Sequence, residues 1–214
     1  MEAMRTPDTS GWTIIVPVKP AAVGKSRLID VGTDREALAR AIALDTITAA
    51  AAADRVTRVI VVTDDAGVRA ELRRVRSVDV VPEGDTRGLD AAIALGADAA
   101  GLGVPRAALL GDVPALRPAD LDAALALAAS VERGLVPDAE GTGSTFITAR
   151  AGAVWVSAFG EDSAARHRLL GCTDLAVERG STLHRDVDTA AQLSEAVALG
   201  VGRHTSAVLA SAAA

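Results

Sequence analysis

Short continuous apolar runs alternate along this chain with longer stretches in which apolar residues recur at helical spacing. Trp12 to Val18 (WTIIVPV) is apolar and rich in β-branched residues, which predicts a strand buried on both faces. TRVIVVT, from Thr57 to Thr63, repeats the pattern, as do the shorter VDVV and, from Arg106 to Asp112, RAALLGD. Between them, Thr33-Asp34-Arg35-Glu36 reads as a capping box, with Thr33 at the N-cap, ahead of an alanine-rich helix to about Ala53. Further helices are expected near Asp65 to Val75, from Gly88 to Gly101, and from Pro118, whose missing N–H costs nothing at a first helical position. Strands separated by helix-length segments imply parallel βαβ crossovers and hence a three-layer α/β architecture with a mostly parallel sheet.

The later chain is less regular. GLVPDAEGTGSTFITAR places turn residues before a strand, AVWVSAFGEDSAARHRLLG runs from strand through loop to helix, and LHRDVDTAAQLSEAVALG repeats strand then helix. No linker, low-complexity segment or internal repeat divides the chain. The reading is a flexible N-terminus over 1–11, a single domain over 12–205 and an alanine-rich C-terminal tail over 206–214 that frays as a helix.

Composition narrows the function classes. With 214 residues, half of them hydrophobic, the chain is long enough to bury a core. Aromatic residues make up only 2% and Tyr is absent, so a nucleotide base is held by hydrogen bonds and aliphatic contacts, and single-stranded nucleic acid finds no stacking platform. A net charge of −6 argues against general affinity for nucleic acid or anionic membrane. Cys172 is the only cysteine, which excludes an internal disulfide, fits a reducing compartment and marks a small core residue. The N-terminal MEAMRTPDTSG has no apolar h-region and no apolar run approaches membrane-spanning length, so a cytoplasmic protein is expected.

Gly24-Lys25-Ser26 ends like a phosphate-binding P-loop, but Lys19 stands where that motif requires its first glycine. The Walker reading fails, yet a buried strand leading into Lys19, Lys25 and Arg27 is a phosphate-binding arrangement or else a solvated loop. In parallel α/β sheets, ligands bind beyond the carboxyl ends of the strands. Asp112 follows the RAALL run and Asp186 and Asp188 follow a strand expected near Leu183, so three strand ends bring cations and carboxylates into one crevice. That set suits magnesium-dependent attack on a nucleoside triphosphate: Mg²⁺ takes few carboxylates plus phosphate oxygens, while Lys and Arg neutralise the departing pyrophosphate. Asp186 is favoured for the metal, and Asp188 either as cap of the helix near Thr189 or as a supporting group behind the metal ligands. AEGTGSTF is an anion-binding loop or a hairpin turn, Ser163 stands where it caps a helix, and His167 faces a ligand there or lies on an exposed face.

Taken together, VPVKPAAVGKSRL, GDVPAL, GTGSTF, FGEDSAARH and RDVDTAAQL resemble the guanylyltransferases of deazaflavin coenzyme biosynthesis, which activate phosphoenolpyruvate or 2-phospho-L-lactate with GTP. The resemblance covers nearly the whole chain. It implies a GT-A-like, Rossmann-related nucleotidyltransferase domain that transfers GMP from GTP to a small phosphorylated carboxylic acid, in the biosynthesis of coenzyme F(420). Carried across by motif, Lys19, Lys25 and Arg27 hold the GTP phosphates, Lys25 and Asp112 act in catalysis, and Asp112 with Asp186 holds Mg²⁺. Ser144 or Thr145, Gly160 and Ser163 bind the acceptor. Glu161 and Asp162 depart from the pattern by placing negative charge beside an anion site. The segment PEGDTRGLDAA is the expected base-contacting loop, and the resemblance is compatible with a homodimer. An alanine-rich, arginine-over-lysine composition fits a high-GC genome, and the resemblance to family members of such organisms implies phosphoenolpyruvate rather than 2-phospho-L-lactate as the acceptor. A catalytically silent nucleotide-binding module and sugar-nucleotide transfer are the rival readings on the same scaffold.

Overall fold

The structure, a computed structural model, describes residues 11–19, 34–85 and 87–212. Among these residues seven strands, β1 (Trp12–Pro17), β2 (Val56–Val62), β3 (Val78–Val81), β4 (Arg106–Leu109), β5 (Arg133–Pro137), β6 (Ser144–Ala149) and β7 (Thr173–Asp174), form one sheet in the order β3-β2-β1-β4-β6-β5-β7. The β3-β2-β1-β4 half is parallel throughout; β6 runs antiparallel to both β4 and β5, and β7 pairs parallel with β5. Among the described residues seven helices accompany it: α1 (Arg35–Ala51), α2 (Ala66–Leu72), α3 (Leu89–Ala100), α4 (Pro118–Ala128), α5 (Ser163–Leu169), α6 (Ala190–Leu199) and α7 (Arg203–Ala212).

Every residue of β1 is buried, as a strand covered on both faces requires. Its alternate side chains enter two different cores because successive residues point to opposite faces. Ile14 and Val16 pack with Ile47 of α1 and Leu121 and Leu125 of α4, whereas Ile15 packs with Ile93 and Ala97 of α3. Those are the three layers expected from the apolar pattern. Gly96 sets the α3 spacing: a Cβ there would lie 2.4 Å from Ile15 Cγ2. A third cluster joins Leu38 and Ile42 of α1 to Val187, Leu193 and Ala196. Val208 and Leu209 of α7 pack against it, and Asp45 of α1 accepts from the N–H groups of His204 and Thr205. The chain beyond Thr205 therefore continues as a docked helix to Ala212.

Several local expectations are corrected. Asp34, not Thr33, caps α1, accepting from Glu36 N and Ala37 N at 2.9 and 3.3 Å; Thr33 lies outside the described residues. Thr189, not Asp188, caps α6, in a reciprocal capping box with Gln192. The AVWV segment is no strand, because its carbonyls are taken by guanidinium groups: Arg106 Nη2 donates to Ala153 O, and Arg133 Nη2 to Val154 O at 3.0 Å. LHRDV is no strand either; it opens with a 3₁₀ turn, Thr182–His184. Conversely β5 went unpredicted, since its two apolar residues are flanked by Gly134 and Pro137. It is placed by β6, and a Cβ at Gly134 would meet Thr148 Oγ1 at 2.7 Å and Leu175 Cδ2 at 2.8 Å.

Candidate active site

The carboxyl ends of β1, β4 and β5 and the amino end of β6 lie at one edge of the sheet. Val18 extends β1, its N–H donating to Val62 O at 2.9 Å, and exposed Lys19 follows. Past β4 the backbone runs close to β1: a Cβ on Gly111 would sit 3.3 Å from Pro17 O. Leu110 N donates to Thr145 O at 3.0 Å, and Val113 N to Thr46 Oγ1 at 3.1 Å, so the turn carrying Asp112 is held from both sides.

Asp186 reaches the same place without a strand. Asp120 of α4 accepts from Thr182 N at 2.7 Å and from Thr182 Oγ1 at 2.6 Å, and that hydroxyl oxygen accepts from Arg117 N at 2.9 Å. Thr145 Oγ1 donates to Leu183 O at 2.7 Å, and His184 Nδ1–H to Pro137 O at 2.8 Å. Val187 N then donates to Asp112 O at 2.9 Å, which sets Asp186 beside Asp112. Asp120, Thr182 and His184 carry no motif, and only the packing of α4 against the 3₁₀ turn gives them a role.

Burial pushes the Asp186 carboxyl up to about 7, and the negative charges of Asp112, Asp188 and Asp138 push the same way. Its Oδ1 is buried with no hydrogen-bond partner among the described residues. A cation would relieve both conditions, so the donor set fits a divalent metal. Among the described residues no group of three or more His, Cys, Asp or Glu is arranged to hold a metal ion. Two carboxylates are nonetheless what Mg²⁺ needs when phosphate oxygens and waters complete its shell.

The GTG loop is the hairpin turn between β5 and β6. Its N–H groups are already used: Asp138 accepts from Thr142 N at 3.0 Å and Gly143 N at 2.7 Å, which removes the loop as an anion nest. Ser144 and Thr145 point to opposite faces. Thr145 takes the Leu183 side, whereas Ser144 Oγ lies 2.9 Å from His167 Nδ1 and accepts from Ser163 Oγ at 3.3 Å. Ser163 is the first residue of α5 rather than its cap; Asp162 occupies the cap position in left-handed conformation, at φ 52°. Gly160, at φ 107°, needs glycine, and a Cβ on it would lie 3.2 Å from Arg166 Nη2. The Arg166 guanidinium lies beside Gly160 and donates to Phe159 O at 2.8 Å.

His167 neither lies on an exposed face nor stands free: it is fully buried. Its Nε2 accepts from Ala158 N at 2.9 Å, so the proton sits on Nδ1, which donates to Ser144 Oγ. Burial lowers its pKa to about 4, with Asp90 opposing and Arg166 reinforcing the shift. The folded value lies below the ordinary one, so between about pH 6.5 and 4 the unfolded chain binds more protons and stability falls as pH falls. The full loss is about 3 kcal/mol. Unfolding free energies measured at pH 7 and pH 5 are expected to differ by about 2 kcal/mol more in the wild type than in His167→Gln; equal slopes would contradict a neutral buried imidazole.

Asp64, just past β2, accepts from Glu83 N and Gly84 N at 3.2 and 3.0 Å and fixes the start of the expected base-contacting loop. Lys25 and Arg27 lie outside the described residues. At the same sheet edge a cavity of about 360 Å³ is lined by Pro137, Asp138, Ala139, Arg179, His184 and Arg185. Its lining includes two guanidinium groups, of Arg179 and Arg185, and Arg185 pairs with Glu195 at 3.3 Å. No described helix is long and apolar enough to cross a membrane.

Residues 12–212 match the family described as "Guanylyl transferase CofC like". A phosphoenolpyruvate guanylyltransferase of Thermomonospora curvata is 45% identical over 203 residues, spanning 93% of this chain and 89% of its own. One from Streptomyces coelicolor is 46% identical over 204 residues, spanning 93% and 96%. Among solved structures, a nucleotidyl transferase from Methanothermobacter thermautotroptrophicus aligns with TM-score 0.58 and 20% identity over 88% of this chain and 97% of its own. A 4-diphosphocytidyl-2C-methyl-D-erythritol synthase aligns with TM-score 0.60 and 13% identity over 89% and 98%. At those identities the structures show the fold, that of the nucleotidyltransferases.

Proposed function

The chain belongs to the CofC-like guanylyl transferase family, and from that premise we propose that it transfers GMP from GTP to phosphoenolpyruvate in the biosynthesis of coenzyme F(420). The observation that carries the reading is the pairing of Asp112 with Asp186 at the carboxyl edge of the sheet through the Val187 N–Asp112 O bond. An oxygen of the acceptor phosphate attacks the α-phosphorus of GTP, the bond to the bridging oxygen breaks, and pyrophosphate leaves. The nucleophile is already an anion, so no side chain need act as its base.

Asp112 and Asp186 would hold Mg²⁺, which when bound supplies positive charge to the phosphate oxygens as charge builds on them. Lys19 stands at the end of β1 and, with Lys25 and Arg27, neutralises the triphosphate; Lys25 stabilises the leaving pyrophosphate. Ser144 or Thr145, Gly160 and Ser163 bind the acceptor, with Ser144 and Ser163 forming one buried hydroxyl pair. The domain expected over 12–205 acts as one catalytic unit, with the rest of α7 docked on it. We assign the protein to the cytoplasm, where buried Cys172 stays a thiol.

Pyrophosphate release from GTP, measured with phosphoenolpyruvate, with 2-phospho-L-lactate and with neither, tests the proposal. The two acceptors share their anionic groups and differ in shape at one carbon, a contrast worth about ten- to two-hundred-fold. The expected result is a kcat/KM that favours phosphoenolpyruvate. A preference for 2-phospho-L-lactate, or release that ignores the acceptor, would overturn it.

A further inference from the structure

The segment 158–160 has no regular secondary structure, yet its polar groups are held one by one. Ala158 N donates to His167 Nε2 at 2.9 Å. Phe159 N donates to Asp90 Oδ1 at 3.0 Å, and Phe159 O accepts from Arg166 Nη2 at 2.8 Å. The Phe159 ring, 6% exposed, meets the imidazole of His167 edge-on, with centroids 4.7 Å apart and planes at 73°. Gly160 follows, its carbonyl accepting from Ser163 N at 3.1 Å. From its other nitrogen His167 contacts the Ser144 hydroxyl, which is paired with Ser163. One imidazole thus joins the segment that presents Gly160 to the two hydroxyls, and one carboxylate, from the first turn of α3, anchors the segment to the rigid part of the fold.

We propose that Asp90 and His167 are positioning residues for the acceptor: they hold Gly160 and the Ser144–Ser163 hydroxyl pair in a single geometry without touching the substrate themselves. The inference rests on the acceptor assignment made above. A loop without strand or helix pairing keeps its shape only through such bonds, and an anion site displaced by a fraction of an ångström loses its hydrogen bonds steeply. The hydrogen bond from Phe159 is made to a charged group, the stronger kind. Asp64 holds the Glu83–Gly84 start of the segment read as base-contacting; Asp90 stands near the far end of that segment, in the first turn of α3, with its carboxylate on Phe159 N, and His167 lies outside it on α5. Losing the His167 anchor therefore acts on the acceptor and spares GTP, and losing the Asp90 carboxylate acts on the acceptor through Phe159.

Steady-state kinetics with each substrate varied in turn, on wild type, Asp90→Ala, Asp90→Asn and His167→Asn, tests this. Asp90→Ala is expected to raise the phosphoenolpyruvate KM about ten-fold, with the GTP KM changed less than about two-fold. Asp90→Asn, whose amide oxygen still accepts from Phe159 N, should stay within about three-fold of wild type. An acceptor KM unchanged in Asp90→Ala, or a parallel rise for both substrates, would overturn the proposal, as would an Asp90→Asn no better than Asp90→Ala. Should Asp90→Ala fail to fold, His167→Asn decides. Its amide can still donate to Ser144 but is too short to accept from Ala158, so the same split between the two KM values is expected and an equal change in both refutes the role. A wild type inactive with phosphoenolpyruvate would sink the substrate reading instead; the split is then read on whichever acceptor drives pyrophosphate release.

Discussion

Replacing Asp112 by Asn is expected to lower turnover about a thousand-fold while leaving the fold in place. The side chain stands in the turn after β4, and the bond that holds Val187 is made by the Asp112 main-chain carbonyl, which the substitution keeps. What changes is charge. Asn presents a neutral oxygen of nearly the same shape, so a divalent ion facing Asp186 loses half of the negative charge the two carboxylates offer. Metal stabilisation of a transferring phosphoryl group is worth several kcal/mol, and about 4 kcal/mol corresponds to a factor of a thousand. The check is pyrophosphate release by a variant whose thermal midpoint matches that of the wild type. Full activity in such a variant would remove Asp112 from the mechanism.

The second large effect is on stability. Phe146→Ala should cost about 3–5 kcal/mol, a large share of the 5–15 kcal/mol that holds a domain together. Phe146 is fully buried in β6, opposite Leu109 of β4 and Val136 of β5. It is the largest fully buried side chain among the described residues, and truncation leaves a cavity that strands paired on both sides cannot close. Because β4 leads to Asp112 and β6 begins at Ser144, the surviving folded protein should also be impaired. Denaturant midpoints at unchanged slope measure the loss; a cost under about 1 kcal/mol would mean that the three strands do not share one rigid core.

The parallel half of the sheet was legible because a strand buried on both faces must be a continuous apolar run. WTIIVPV and TRVIVVT have no other economical reading in a chain of this length. The helices between them followed from spacing and capping, with an error of one residue at Asp34 that arises because Thr33 and Asp34 are both capping residues. The place of Asp112 was legible for the same reason, since it stands one glycine past an apolar run that forms β4. The antiparallel part was not. GLVP is too short for periodicity to register, and AVWV has strand composition but gives its carbonyls to Arg106 and Arg133.

The sequence by itself determined the α/β class, the buried strands of the parallel half and the helices between them. Each of these depends on local pattern, and local pattern is written in consecutive residues. Tertiary structure alone decided how Asp186 comes to face Asp112, through Asp120, Thr182, Thr145 and the carbonyl of Asp112, residues scattered from 112 to 187. It also decided that Ser144 and Thr145 serve opposite faces and that His167 is buried and neutral, tied to both Ser144 and the segment before Gly160. These outcomes depend on which hydrogen-bond partner lies across a layer of packing. No periodicity encodes that, because a buried polar group is satisfied by whatever the fold brings within about 3 Å of it.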